Sequence, residues 1–165
     1  MRPFVRLGVV LLAASACGGT DVRTRSGPTH FAGNHAWVYS GPWTGLAPEL
    51  PDGGPSINLF QLLITDVPVP CASSPSPTHF SQVNVGMFTD APDQITPGIY
   101  LYQRQVEWLW FYALVDNSPE PPVVPVTSGR LDLRSLDASE AEGSVDLQLM
   151  DDTRIAGDFV APRCH

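Results

Sequence analysis

Residues 143–160 read GSVDLQLMDDTRIAGDFV. In the first half, Val145, Leu147 and Leu149 alternate with Ser144, Asp146 and Gln148. A period of two is that of a strand with one face in a core and the other in water. In the second half, Ile155 and Phe159 share a face with Gly157. Both apolar faces must point the same way across a hairpin, so paired residue numbers sum to an even number and the loop has odd length. Three residues around Asp151-Asp152 fit, with a bulge, because a two-residue turn would flip one strand. Upstream, Leu131 and Leu133 alternate with Arg130, Asp132 and Arg134. Two registers against the 143–150 strand keep these leucines inside. One sets Asp132 opposite Asp146; the other sets Arg130 opposite Asp146 and Arg134 opposite Glu142. Opposite charges across strands favour the second by about 0.2–1 kcal/mol per pair.

The same reading extends through the chain. No window holds helical periodicity over three turns, and the 17 Pro, spread along nearly the whole length, cut any long helix. Short runs rich in β-branched and aromatic residues stand between Gly, Pro, Asp and Ser punctuation. The strands expected are 34–40, 57–65, 79–88, 98–105, 107–115, 129–136, 143–150 and 154–160. Nothing of βαβ length separates them, so a parallel sheet is not expected. The fold class is therefore all-β: an antiparallel sandwich or small barrel of about eight strands in a single domain over 30–165. The strand around 108–114 reads WLWFYAL and is apolar on both faces, so it belongs where both sides are covered. Trp108, Trp110 and Tyr112 share one of those faces. They are read chiefly as core, and otherwise as the candidate ligand-lining wall of a cavity. Gly41–Ser56, Asp66–Thr78 and Ser118–Pro125 each hold four Pro and read as loops.

The charge balance narrows the function. Nine Lys+Arg face 17 Asp+Glu, and the net charge is -8. A nucleic-acid partner is not expected, because binding one needs a basic face to displace counterions from phosphate. All nine cations are Arg. No Lys Schiff base, P-loop Lys or catalytic Lys dyad is available.

The N-terminus reads as an address. Residues 1–17 are MRPFVRLGVVLLAASAC. Arg2 and Arg6 precede a short apolar run, far below the roughly 20 residues of a membrane-spanning helix. This is the pattern of a secretory signal peptide over 1–16. Ala14-Ser15-Ala16-Cys17 resembles the lipobox of bacterial lipoproteins, with Ala14 where that family more often has Leu. Ala14-Ser15-Ala16 also fits an ordinary cut site. The resemblance implies lipidation of Cys17 and attachment to a membrane through acyl chains, two or three of which make a stable anchor. Gly18-Gly19-Thr20, with no Asp after Cys17, implies by the Gram-negative sorting rule the outer membrane, on its periplasmic side or at the cell surface. Residues 17–29 read as the lipidated Cys and a flexible tether. Without the signal peptide the chain loses two Arg, and its side-chain charge falls to -10.

Two further Cys, Cys71 and Cys164, read in an exported chain as one disulfide. The alternatives are two free thiols or a metal pair with a His. His30, His35, His79 and His165 have no common ligand spacing, and no metal or cofactor is expected. There is no G-x-S-x-G, H-E-x-x-H, S-x-x-K or Walker A pattern.

Two resemblances bear on function. Gly41-Pro42-Trp43 is similar to the G-x-W of lipocalins, barrels that hold a small apolar ligand, although the T-D-x turn motif is not placed as in that family. A wider likeness covers 58–66 up to Cys71, Pro97-Gly98-Ile99-Tyr100, 128–131, 142–147 and 155–164, which ends GDFVAPRC. It resembles a group of uncharacterised bacterial lipoproteins with an internal Cys and a closing G-x-F-x-A-P-x-C. That likeness implies fold, export and disulfide, and no activity. The expected function is a lipid-anchored envelope β module, not an enzyme, with a binding or structural role; its candidate partners are an envelope protein or a small apolar ligand. The alternatives are a carrier of a small apolar ligand or lipid and, behind it, an envelope hydrolase.

Overall fold

The computed structural model describes residues 19–42, 58–71, 80–89, 95–102, 109–114 and 123–164, with the backbone alone at Thr89, Leu109–Leu114 and Val123. Among these residues every regular element is a strand: β1 (Asp21–Ser26), β2 (Ala32–Gly33), β3 (His35–Pro42), β4 (Asn58–Thr65), β5 (Gln82–Thr89), β6 (Gly98–Leu101), β7 (Leu109–Leu114), β8 (Val123–Leu136), β9 (Glu140–Leu149) and β10 (Arg154–Cys164). The pairings run β3-β4-β5-β7-β8-β9-β10 and return to β3. The curled sheet thus closes on itself. β1 and β2 extend it beside β10, and β6 extends it beside β8.

The hairpin that decides the fold forms as its alternation requires. β9 and β10 pair with Ile155 opposite Leu147 and Arg154 opposite Gln148, an even sum. Leu149 and Thr153 close a three-residue loop in which Asp152 is left-handed, at φ 65°. Along β9 inward and outward residues alternate without a break, placing Ala141, Val145, Leu147 and Leu149 in the core.

β8 pairs with β9 in the register expected from charge, Arg130 opposite Asp146. A bulge at Arg134 then shifts the ladder, so Ser135 and not Arg134 stands opposite Glu142. A second irregularity lies at Thr127. Both follow from residue parity. Val126 and Leu136 are even-numbered and Leu131 and Leu133 odd, yet all four pack in or against the core. One extra residue at each bulge restores the inward face.

Three expectations are corrected. Residues 17–29 are not a free tether throughout, since Asp21–Ser26 is a strand paired with β10, and Val22 is fully buried in the core. The sheet is mixed, because β3 and β10 pair in parallel at Val38–Arg163 and Tyr39–Cys164. Two of the flanking segments read as loop or left unassigned are strand: Val123–Pro125 begins β8, and Ala161–Cys164 ends β10.

β4 is covered on both faces. Phe60, Leu62 and Ile64 enter the core, while Leu59, Leu63 and Thr65 on the other face are also buried. In β7, Leu109, Phe111 and Ala113 stand opposite the core residues Met87, Val85 and Val83. Trp110 and Tyr112 stand opposite Gly86 and Asn84, in the alternate register positions.

Candidate functional site

β8 and β10 are the two longest strands, and each exchanges partners along one edge. β10 pairs with β1 through Asp158 and with β3 only from Arg163. Between these points Val160 is held by Thr20. The Thr20 hydroxyl donates to the Val160 carbonyl at 2.9 Å and accepts the Val160 N–H at 3.2 Å. Pro162 has no N–H with which to extend the ladder. The strands therefore splay, and a groove of about 330 Å³ opens at the seam. Asn34, His35 and Trp37 form one wall, Val160 and Pro162 the other, and Pro68 lies at the rim.

The seam is fastened from two sides. Cys71 and Cys164 are joined by a disulfide, with Cα atoms 5.4 Å apart. Arg163 donates through Nη2 to the Ser40 carbonyl at 2.9 Å and through Nη1 to the Asp137 carbonyl at 3.0 Å. Its own N–H donates to the Ser139 carbonyl. One guanidinium thus ties β3 to the turn between β8 and β9, across β10.

The groove offers an imidazole, a carboxamide and a hydroxyl. The indole N–H of Trp37 is buried without a hydrogen-bond partner among the described residues. Among the described residues, no carboxylate lines the groove. Such a lining can hydrogen-bond a neutral or amphipathic group.

A shallower depression of about 290 Å³ lies on the outer face of β8, β9 and β10, lined by Ser128, Arg130, Asp146, Gln148 and Arg154. Here Arg154 grips Asp146 through two hydrogen bonds, at 2.8 and 2.7 Å. Arg130 turns to Asp132 at 2.8 Å. The Arg154 hydrogen bond is the main cause that holds the Asp146 carboxyl below its ordinary pKa, against desolvation, and Arg130 adds attraction. Both guanidinium groups already hold carboxylates of the same chain.

Two other carboxyls are held low by local hydrogen bonds. Asp151 accepts the Thr29 hydroxyl, the largest cause, and the Thr153 N–H. Asp137 accepts the N–H and hydroxyl of Ser139 and the N–H of Glu140. Both fasten turns.

The expected site residues fall as follows. The structure joins Cys71 to Cys164. Cys17 and Trp108 lie outside the described residues, as do His79, His165 and the side chains of Trp110 and Tyr112. His35 lines the seam groove, while His30 sits at the far end of the β1–β2 turn. Among the described residues no group of three or more His, Cys, Asp or Glu is gathered for a metal ion. Sequence reasoning missed Thr20 and Arg163. Thr20 carries no local signal, since its partner is 140 positions away. Comparison of the chain with protein families, curated proteins and solved structures found no match.

Proposed function

We propose that this chain is a lipid-anchored β module of the bacterial cell envelope, held at the outer membrane through Cys17 and serving a binding or structural role. The observation that carries this reading is the Cys71–Cys164 disulfide in a chain whose first 17 residues read as signal peptide and lipobox. Disulfides persist in oxidising compartments, the destination that such a signal specifies. The acidic balance supports acyl anchoring, because it gives no attraction to anionic headgroups. Cys17→Ser is expected to release the protein from the membrane fraction, and the N-terminal peptide of the native chain is expected to carry the mass of a diacylglyceryl group. A Cys17→Ser protein that stays membrane-bound overturns the reading.

A carrier of a small apolar ligand is the second reading. The seam groove favours it.

A further inference from the structure

We infer that Asp66–Cys71 is a strap across β3, latched by the Cys71–Cys164 disulfide, and that thiol–disulfide exchange with a dithiol releases it and uncovers the seam groove.

The course of the strap follows from the sheet order. β3 lies between β4 and β10. The strap leaves the end of β4 at Thr65, which stands opposite His35. It ends bonded to Cys164 of β10, which stands opposite Tyr39. It must therefore cross β3 obliquely, from the level of His35 to that of Tyr39. Val38 is fully buried in the core, so the strap passes over the other face of β3, that of His35, Trp37 and Tyr39. Trp37 lies midway along this path, and Pro68, Val69 and Cys71 line the groove with it. The buried Trp37 indole N–H accords with a ring covered from above.

The strap has little slack. Two strand spacings and four residues of rise put its ends roughly 16 Å apart. The six steps from Thr65 to Cys71 reach about 20–22 Å at full stretch.

Among the described residues the strap is fastened at its two ends. At the first, Asp66 donates its N–H to the Ser81 carbonyl at 3.3 Å and accepts the Ser81 N–H at 2.9 Å. The Thr65 hydroxyl donates to the Val67 carbonyl at 2.7 Å. Pro68 and Pro70 have no N–H, and among the described residues no hydrogen bond joins Pro68–Pro70 to the strands beneath. The second end is held by the disulfide.

Access decides which sulfur of a disulfide is attacked. Cys71 is exposed, whereas Cys164 is only 5% exposed. A thiolate of the dithiol attacks Cys71 Sγ, the bond to Cys164 breaks, and the Cys164 thiolate takes up a proton. The second thiol of the reductant then attacks the mixed disulfide, frees Cys71 as a thiol and closes the reductant's own disulfide. Two electrons pass from the dithiol to the cysteine pair, and the two thiol protons end on Cys71 and Cys164.

The test uses the full-length Cys17→Ser chain, whose remaining cysteines are Cys71 and Cys164, so its outcome is independent of acylation. Dithiothreitol is expected to reduce the pair completely without denaturant. Hydroxyl-radical footprinting read by mass spectrometry is expected to show several-fold faster oxidation of Trp37 in the reduced chain, while hydrogen exchange at Val145 and Leu147 stays slow. A second chain keeps the disulfide but carries about ten Gly/Ser residues inserted between Val67 and Pro68, a flexible length that slackens the strap. It is expected to show a similar gain at Trp37. A disulfide that yields only in denaturant overturns the inference. So does unchanged Trp37 oxidation in either chain, and so does a gain that comes only with lost protection at Val145 and Leu147.

Discussion

Gly157 lies between β1 and β9, paired with Val22 on one side and Val145 on the other. A Cβ built there would fall on the Asp21 carbonyl and 2.7 Å from the Val22 Cα. Gly157→Ala must therefore shift β1 against β10. It is expected to cost about 1–3 kcal/mol in urea unfolding, the range for overpacking a filled site. Gly27 is required for a different reason: its φ of +101° is a conformation L side chains rarely adopt. Asp137, Asp146 and Asp151 all have carboxyls held below their ordinary values. A carboxyl depressed in the folded state adds stability above its unfolded pKa and loses it as pH falls through the folded value. The melting temperature is thus expected to be flat above about pH 5 and to fall steadily below about pH 4. Asp151→Asn is expected to lower the melting temperature at pH 7 and to flatten that acid limb, because its Thr29 and Thr153 bonds weaken. An acid limb as steep as that of the native chain would show that Asp151 does not contribute.

Among the described residues, the β3–β10 seam has the fewest rungs of any contact in the closed ring, with two. The disulfide closes it from outside, over a sequence separation of 93 residues. Replacing both Cys71 and Cys164 by Ser is expected to lower stability by up to about 4–5 kcal/mol on chain entropy. Hydrogen exchange is expected to speed first at Val38 and Tyr39, while Val145 and Leu147 in the centre of β9 stay protected. Uniform loss of protection would place the weak point elsewhere. The elements were legible to unequal degree. β9 and the start of β10 show clean alternation, so their hairpin and its odd loop could be read from residue types. β1 could not, because DVRTRS has a single apolar residue and its place is made by a distant strand. The Arg134 bulge was equally hidden. It exists because Leu136 must also turn inward, and Arg134 is freed by it to reach Asp158 and the Gly143 carbonyl. Pro125 reads as part of a loop and Pro162 falls past the last expected strand, yet each lies in a strand. Pro125 keeps a carbonyl that accepts the Met150 N–H, and Pro162 lies where β10 has left β1 and not yet met β3.

At the scale of the whole molecule, β8 and β10 make the closure. Each is long enough to pair along one edge with two different strands, β7 then β6 for β8, and β1 then β3 for β10. Strands that pass from one partner to another in this way form the corners of a curled sheet. The groove is a consequence of one such exchange, which is why no motif announced it: its walls come from residues 20–37, 68–71 and 160–162. The sequence by itself determined the strand class, the β9–β10 register, the charge-matched Arg130–Asp146 alignment, and the pairing of Cys71 with Cys164 as the first expectation. The strand class and the two alignments rest on spacing within short windows, where side-chain period and residue type suffice, and the cysteine pairing rests on the count of Cys in the chain. Only the tertiary structure decided that β1 belongs to the core, that β3 and β10 meet in parallel, and that Thr20 and Arg163 fasten the seam. Most of those contacts join residues more than a hundred positions apart, among them Thr20 with Val160 and Arg163 with Ser40, and long-range packing is set by the closed sheet rather than by any local preference.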